Sequence, residues 1–358
     1  MLSALGLRLR LRVFLALAVS AGVCFGATPA AGRIARRIGA MDRPGESRRV
    51  HDHPIPRLGG LAILLGLLAG VMPFGTFDRE MRGILLGCLV IAALGVADDL
   101  RDLRPWVKLL FQTLAALIAL GHGVEIRLLT NPIHFAGGTL SLGALSAPVT
   151  LLWIVGMTNA LNLIDGLDGL AAGVSLISCV CMLAVSLFLP AATDMSVLLG
   201  ALGGACLGFL PYNRNPARIF MGDTGAMLLG YVLSTASVLG LFKMYAAVTF
   251  AMPLLILALP LTDTVFAVVR RLARGESPLK ADRGHIHHRL LDMGLSQKQT
   301  VAVLYAVSAI LGLAAVMLSA GAAARFWLLL AAFAGAAAAW LCISMRKARP
   351  SDKKDVKK

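Results

Sequence analysis

Long apolar stretches follow one another along almost the whole chain, and this succession restricts the possible folds more than any other feature of the sequence. A helix that crosses a membrane needs about 20 mostly apolar residues, and eleven stretches approach or exceed that length. They cover residues 11–32, 58–77, 83–97, 106–122, 148–164, 169–190, 196–212, 224–240, 245–269, 300–320 and 326–345. Only 15% of the 358 residues are charged, whereas soluble domains contain about 25%. We therefore predict an all-α, polytopic integral membrane protein with about 11 transmembrane helices, in a single domain over residues 1–358.

The basic residues divide unequally between the two sides of these predicted spans. Of the 34 Lys and Arg residues, 26 fall on one side, and such an excess marks the cytoplasmic side. The segments on that side are 33–57, 98–108, 165–168, 213–223, 270–299 and 346–358, the last being a basic tail that predicts contact with lipid headgroups. Three arginines before residue 13 and the apolar run that follows also resemble a signal peptide. That alternative leaves the predicted orientation of the later spans unchanged.

The net charge limits the possible partners of the chain, and the cysteines limit its possible disulfides and zinc sites. A net charge of +15 could indicate a nucleic-acid partner, but no basic stretch is interleaved with aromatic residues. We predict membrane lipids and an anionic substrate as partners, and no nucleic acid. The six cysteines lie in apolar stretches without a Cys-x-x-Cys pair, which predicts neither a disulfide framework nor a zinc site.

Four polar clusters stand at the predicted cytoplasmic ends of the apolar stretches. Ionisable groups close to hydrocarbon are costly, so they indicate function there. The clusters are Asp98, Asp99 and Asp102; Asn159, Asn162, Asp165 and Asp168; the segment from Asn213 to Asp223; and His285, His287 and His288. We predict that they converge on an active site at the cytoplasmic face.

The first two clusters consist of groups that can bind a hard cation or move a proton. The alternative for Asp98 and Asp99 is a solvated helix end, although acids at a helix C-terminus oppose the macrodipole. In the second cluster the polar residues recur every third position, and Gly166 and Gly169 permit a tight turn. A simple capped turn is the alternative there, but it would need one Asp and one Gly.

The other clusters combine anion-binding groups. Asp223 and Thr224 could cap the eighth predicted helix, and the same geometry presents backbone N–H groups to a phosphate. Arg218 adds positive charge nearby. The three histidines stand beside Arg283 and suit a diphosphate, the alternatives being a solvated basic loop or a zinc site.

Two further features leave alternatives open. The loop of residues 42–60, which contains His51 and Arg57, is basic and rich in Pro and Gly. It predicts either a substrate loop or only a determinant of membrane orientation. Asp263 stands inside the ninth predicted span without an obvious charge partner, so it lines the cavity or is a neutralised or hydrogen-bonded core acid.

The ordered series of motifs from Asp42 to about Leu295 resembles the polyprenyl-phosphate N-acetylhexosamine-1-phosphate transferase family. The matching motifs are Asp42-x-Pro44, Arg48-x-Val50-His51 and Pro54-x-Pro56-Arg57-x-Gly59-Gly60; Asp98-Asp99-x-x-Asp102 with Lys108 and Gln112; Asn159-x-x-Asn162-x-x-Asp165-Gly166-x-Asp168-Gly169; Phe220-Met221-Gly222-Asp223-Thr224-Gly225; and His285-x-His287-His288. The histidine motif is similar to the branch that starts O-antigen, common-antigen or teichoic-acid glycans. The peptidoglycan branch has three consecutive histidines, which this chain lacks.

The resemblance implies a Mg²⁺-dependent enzyme, with Mn²⁺ as a substitute, in the bacterial inner membrane. Such an enzyme transfers a sugar-1-phosphate, expected here to be GlcNAc-1-phosphate, from a UDP-N-acetylhexosamine to undecaprenyl phosphate and releases UMP. The implied roles are catalytic for Asp98 with Asp99 in support; metal-binding for Asp223 and Asn162; substrate-binding for Asn159, Asp165, Asp168, Asn213, Arg218, Arg283, His285, His287 and His288; and lipid-phosphate or loop contacts for Asp102, Lys108, His51 and Arg57. A homodimer is a further implication.

Two alternatives remain at this point. One is a phospho-N-acetylmuramoyl-pentapeptide transferase of the same family. The other is a secondary transporter of anionic substrates, which would place its polar groups near the bilayer midplane and often shows internal repeats. The polar clusters lie at helix ends and no repeat is visible, which favours the transferase. We expect direct in-line transfer, because phosphoryl transfer depends on positioning and charge neutralisation.

Overall fold

The computed structural model describes residues 4–42, 54–130, 139–186, 193–240, 251–275 and 285–319. Helices make up most of these ranges. They are α1 Ala4–Ile38, α2 Gly59–Phe74, α3 Arg79–Arg101, α4 Pro105–Gly121, α5 Ser146–Ile164, α6 Leu170–Ser186, α7 Thr193–Asn213, α8 Gly222–Gly240, α9 Ala251–Ile256, α10 Ala258–Ala273, α11 Ile286–Asp292 and α12 Gln297–Ser319. A 3₁₀ turn, Gly143–Leu145, precedes α5.

Two short antiparallel ribbons accompany the helices in the described ranges. Strand β1, Met41–Asp42, pairs with β2, Ile55–Pro56, in the register Met41 to Pro56 and Asp42 to Ile55. Strand β3, Leu128–Thr130, pairs with β4, Thr139–Ser141. The first ribbon ends at Pro56, shortly before α2 begins. Arg57 therefore lies just before the start of α2, next to the end of the ribbon.

Several helices have the length and composition of membrane spans. Five described segments meet both criteria: Gly6–Ile38, Arg79–Arg101, Gly143–Ile164, Met195–Asn213 and Gln297–Ser319. Three shorter apolar helices, Gly59–Phe74, Pro105–Gly121 and Leu170–Ser186, accompany them. The prediction of an all-α, multi-pass membrane protein is confirmed. The total of eleven spans stays a prediction, because the last candidate, 326–345, and the basic tail 346–358 lie outside the described residues.

Helix α8 occupies the centre of the bundle. It packs against α3, α5 and α2, and almost all of its residues are buried. Helix α1 runs along α7 and α2, while its large apolar residues such as Leu7 and Phe14 point outward. Apolar side chains on an outer face are expected where lipid is the solvent. The core is therefore enclosed by helices, and the outer surface suits a bilayer.

The ninth predicted span, 245–269, differs from the described helices. Helix α9 ends at Ile256, and α10 begins at Ala258 and continues to Ala273. Proline lacks the N–H group that an α-helix needs four residues after each carbonyl. Pro260 therefore cannot donate to the carbonyl of Ile256, four residues earlier. The helix is broken directly after that residue, at Leu257. Asp263 consequently lies in the second of the two helices.

Chain reversals bring four helix ends together. Helix α3 ends at Asp102, whose φ of 45° turns the chain, and Pro105 then starts α4, where a fixed φ suits the first turn. The segment after β2 lies along the residues before α8, since Phe220 N donates to Pro56 O at 2.8 Å and Gly59 N to Phe220 O at 2.9 Å. The polar motifs at these ends thereby become neighbours.

Candidate active site

Asp99 holds the first turn of α8. Its Oδ1 accepts a hydrogen bond from Asp223 N at 2.9 Å, and its Oδ2 accepts from Thr224 N at 3.2 Å and Thr224 Oγ1 at 2.7 Å. The first N–H groups of a helix have no partner within the helix, and a negative charge is favourable there. The cap of α8 therefore comes from α3. Asp99 positions Asp223, and both of its oxygens are occupied in doing so.

Gly222 makes this close approach possible. Its φ is 68°, in the left-handed region that glycine adopts without steric cost. A Cβ atom built there would collide with the carbonyl oxygen of Arg57 and with both carboxylate oxygens of Asp99. Any side chain at position 222 would thus separate α8 from its cap.

Lys108 joins the two carboxylates that face each other across the site. Its Nζ lies 3.0 Å from Asp223 Oδ2 and is in direct contact with Asp98 Oδ2. The other oxygen of Asp98 accepts a hydrogen bond from Leu103 N at 2.7 Å. Asp98 is buried, whereas Asp223 is partly exposed. One ammonium group therefore neutralises charge between an enclosed carboxylate and an accessible one.

The same position suits a divalent cation. Asp223 Oδ1 accepts a hydrogen bond from Asn162 Nδ2 at 3.0 Å, so a third polar group converges on this carboxylate. In the described part of the chain, no three His, Cys, Asp or Glu side chains are grouped to hold a metal. Mg²⁺ is usually held by one or two carboxylates together with substrate phosphates and water. The carboxylate oxygens of Asp223, with Asn162 beside them, fit an ion shared with a phosphate ligand.

Arg57 adds a second cation at the edge of this cluster. Its guanidinium lies 3.7 Å from Asp99 Oδ1, 3.9 Å from Asp42 Oδ1 and 3.9 Å from Asp102 Oδ1. The side chain of Asp102 is 92% exposed, so this last pair contributes little to stability. In the described part of the site, Arg57 and Lys108 are thus positive groups that an anionic substrate would meet.

Asp165 follows the last residue of α5 and faces the same cluster. Burial, together with the charges of Asp223 and Asp99, raises the pKa of Asp165 to about 8. The carboxyl group is consequently protonated at neutral pH while no added cation is present. A positive charge delivered to the site would favour its ionised form.

Asn159 is engaged by an amide pair. Its Nδ2 donates to Gln112 Oε1 at 2.6 Å and to Val155 O at 2.8 Å, and Gln112 Nε2 returns a hydrogen bond to Asn159 Oδ1 at 3.3 Å. Gln112 is buried and stands one turn after Lys108 on α4. The pair links α4 to α5 one turn away from Lys108. The side chain of Asn159, predicted to bind substrate, is therefore hydrogen-bonded to Gln112 in this structure.

Asp168 and Asn213 hold the loop between α7 and α8. Asp168 Oδ2 accepts from Asn215 Nδ2 at 2.9 Å and from Ala217 N at 3.0 Å. Asn213 Nδ2 donates to Ile219 O at 3.0 Å. Both side chains, predicted to bind substrate, are therefore bonded to the loop. The predicted phosphate partner Arg218 is exposed on that loop.

The histidine motif lies at the start of α11. His285 and His287 are buried, their ring centroids are 5.8 Å apart, and the rings are nearly parallel. His288 lies 4.3 Å from His287, measured between ring centroids. Burial, followed by the charge of His288, lowers the pKa of His287 to about 4. His287 is therefore neutral at physiological pH.

Asp263 is the site residue that sequence reasoning left undecided. Its Oδ2 lies 2.9 Å from His285 Nδ1, and its Oδ1 accepts from Ile286 N at 2.9 Å. An acid inside an apolar span was the available signal, but nothing in the sequence identified its partner. The structure assigns it to the hydrogen-bonded alternative. The predicted residues His51 and Arg283 lie outside the described residues.

Known proteins resemble the chain over most of its length. Residues 81–241 match the family model described as glycosyl transferase family 4. A protein of Bacillus subtilis (strain 168), "Probable undecaprenyl-phosphate N-acetylglucosaminyl 1-phosphate transferase", is 41% identical over 321 residues, which is 89% of this chain and 87% of that protein. The chain belongs to the polyprenyl-phosphate N-acetylhexosamine-1-phosphate transferase family. The family predicted from the motifs is thus confirmed.

Other family members are similar over most of their length. A decaprenyl-phosphate N-acetylglucosaminephosphotransferase of Mycobacterium tuberculosis (strain H37Rv) is 36% identical over 310 residues, 79% of this chain and 76% of that protein. A phospho-N-acetylmuramoyl-pentapeptide-transferase of Thermotoga petrophila is 35% identical over 279 residues, 75% of this chain and 86% of that protein. Transferases that differ in their sugar thus share the sequence pattern of this chain.

Proposed function

We propose that this transferase moves N-acetylglucosamine-1-phosphate from UDP-N-acetylglucosamine to undecaprenyl phosphate and releases UMP. The observation that carries the proposal is the arrangement of Asp98, Lys108 and Asp223 at the capped start of α8. Two carboxylates and an ammonium group meet there at the end of apolar helices, where a lipid phosphate and a water-soluble nucleotide can both arrive. The names of the relatives from B. subtilis and M. tuberculosis agree with this donor sugar.

Mg²⁺ is the proposed cofactor, held by Asp223 with Asn162 in support. Bound there, it would supply charge neutralisation for the diphosphate and the leaving UMP. Lys108 and Arg57 attract the anionic substrates and reduce the repulsion between them. These two side chains are fixed by their carboxylate partners, so their charge is in place before the substrates arrive.

Asp98 orients the acceptor phosphate, or removes its proton where one remains. A phosphate monoester has a second pKa near 6, so undecaprenyl phosphate is largely ionised at neutral pH and placement is the larger part of the role. Asp99 keeps Asp223 in position through the backbone of α8. The acceptor oxygen then attacks the sugar-linked phosphorus directly, the bond to UMP breaks, and no covalent enzyme intermediate forms.

The active end of the bundle faces the cytoplasm of a bacterial inner membrane in this proposal, because the excess of Lys and Arg lies on that side. A cysteine introduced at the exposed residue Arg104 tests this orientation. An impermeant thiol reagent should label Arg104→Cys in inverted vesicles and leave it unlabelled in intact spheroplasts. The opposite pattern would reverse the orientation.

The reaction is tested with purified protein in detergent, Mg²⁺ and undecaprenyl phosphate. UDP-GlcNAc, UDP-GalNAc and UDP-MurNAc-pentapeptide are offered separately, and UMP and the lipid-linked product are measured. We expect both products with UDP-GlcNAc, and their loss in Asp98→Asn and Asp223→Asn. Asp292→Asn, which alters an exposed carboxylate at the end of α11, is the matched control. Product from the pentapeptide donor alone would reassign the sugar, and no UMP with any donor would overturn the proposal.

A further inference from the structure

Both carboxylate oxygens of Asp263 contact the same short segment of the chain, His285 and Ile286. One oxygen contacts His285 Nδ1 and the other accepts from the backbone N–H of Ile286, each at 2.9 Å. Asp263 and His285 are 3% and 5% exposed, so water does not compete strongly for these contacts. The carboxylate therefore connects α10 with the residue at which the histidine motif begins.

The hydrogen bond determines which nitrogen of His285 is available. An ionised carboxylate can only accept, so Nδ1 carries a proton and Nε2 is the nitrogen left for another partner. An imidazolium ring donates from both of its nitrogens, and a carboxylate on Nδ1–H balances the positive charge of that form. In that form Nε2–H donates to an anionic oxygen.

The neighbouring histidine connects the motif to the carboxylate cluster. His287 stacks on His285, and a Cβ atom at Gly166 would collide with its imidazole ring. Gly166 follows Asp165, which experiences the charges of Asp223 and Asp99. The segment from His285 to His287 is thus seated against the turn between α5 and α6, at the side of the proposed diphosphate site.

We propose that Asp263 is a positioning residue, which aims His285 so that Nε2–H contacts the diphosphate of the sugar nucleotide. This inference rests on the proposed function and adds a residue to it. Asp263 acts only through His285 and Ile286. Its replacement should therefore change activity through the orientation and proton placement of one ring.

Asp263→Asn separates this role from a purely structural one. The amide oxygen can still accept from Ile286 N, whereas the amide NH₂ faces His285 Nδ1 and forces that nitrogen to become an acceptor. We expect kcat/KM for UDP-GlcNAc to fall about 10- to 100-fold, the scale on which partners that orient histidines act. Asp263→Ala loses both contacts and should also unfold at lower temperature. Thr262→Ala, at an exposed neighbouring position on α10, is the control and should retain full activity.

A double-mutant cycle and an NMR spectrum test whether Asp263 positions His285. Asp263→Asn should have no further effect in a His285→Gln background, because both changes remove the same contact. In protein labelled with ¹⁵N-histidine, the His285 signals, assigned by their absence in His285→Gln, should show a protonated Nδ1 that Asp263→Asn abolishes. Additive losses of activity, or an unprotonated Nδ1 in the wild type, would overturn the inference. Failure of the wild type to release UMP would instead count against the proposed function, and the spectrum would still decide the Asp263–His285 contact.

Discussion

Asp99 Oδ1 accepts a hydrogen bond from the backbone nitrogen of Asp223 at 2.9 Å, and thereby ties the end of α3 to the start of α8. The two adjacent carboxylates of α3 consequently have different tasks. Asp98 faces Lys108 and the accessible carboxylate of Asp223. Asp99 faces the backbone and fixes where Asp223 stands.

Replacement of the two acids should therefore give different results. Asp99→Asn places an amide NH₂ against the donors of α8, and we expect activity to be lost together with about 1–2 kcal/mol of stability, the scale of a lost helix cap. Asp98→Asn should lose activity with little change in the temperature of unfolding. UMP release and thermal unfolding in detergent measure the two effects.

Asp78→Ala is the matched control for the cap. Asp78 caps the other end of α3 by accepting from Met81 N at 2.8 Å. Its removal should lower stability by about 1 kcal/mol and leave kcat unchanged. Equal activity of Asp99→Asn and Asp78→Ala would contradict the positioning role of Asp99.

Lys108→Met should change metal and substrate binding in opposite directions. Removal of the ammonium group leaves Asp98 and Asp223 without their shared cation, so a divalent ion should bind more tightly to the substrate-free protein. The anionic substrates lose an attractive charge, so their KM should rise at least several-fold. Calorimetric titration with Mg²⁺ and steady-state kinetics separate these effects. Lys298→Met, at an exposed position of α12, is the control, and weaker Mg²⁺ binding in Lys108→Met would refute the expectation.

Asp165 should release protons when the cation binds. The pKa of Asp165 is raised to about 8, chiefly by burial, so the carboxyl group is mostly protonated at pH 7 and ionised above about pH 9. Mg²⁺ favours the ionised form, and its binding at pH 7 should expel part of one proton per site. Calorimetry in buffers of different ionisation enthalpy measures this release. It should disappear at pH 9.5 and in Asp165→Asn, and an unchanged proton count in that variant would rule out Asp165 as the source.

His287 should make the protein sensitive to acid. Burial is the main cause that lowers its pKa from 6.5 to about 4, so the folded protein holds the ring neutral while the unfolded chain protonates it below pH 6.5. The free energy of unfolding is therefore unaffected by the titration of His287 above pH 6.5. It decreases as the pH falls toward 4, by at most about 3 kcal/mol. His287→Gln should be less stable at pH 7 and lose less stability between pH 6.5 and 4. Parallel unfolding curves for the two proteins over this interval would disprove the assignment.

The sequence could predict where the polar groups gather, because helix ends and hydropathy are local properties of the chain. It could not predict which of them face each other. The cap of α8 comes from a residue 124 positions earlier, and Asn159 is paired with Gln112 across 47 positions. These contacts depend on the tertiary packing of apolar helices, for which periodicity supplies no register. The hydrogen bonds of Asp168 and Asn213 to the loop between α7 and α8 are likewise not indicated by the sequence, and their role in substrate binding stays a prediction.

Helix α8 is enclosed by protein, and this restricts the substitutions that it can accept. Its residues from Thr224 to Gly240 are almost all surrounded by protein, and in such a position a change of even one methylene group disturbs several neighbours. Helix α1, by contrast, turns large side chains such as Leu7 and Phe14 outward, where lipid rather than protein is the expected neighbour. Substitutions can therefore accumulate on that outer face without loss of the fold, whereas the centre of the bundle admits few.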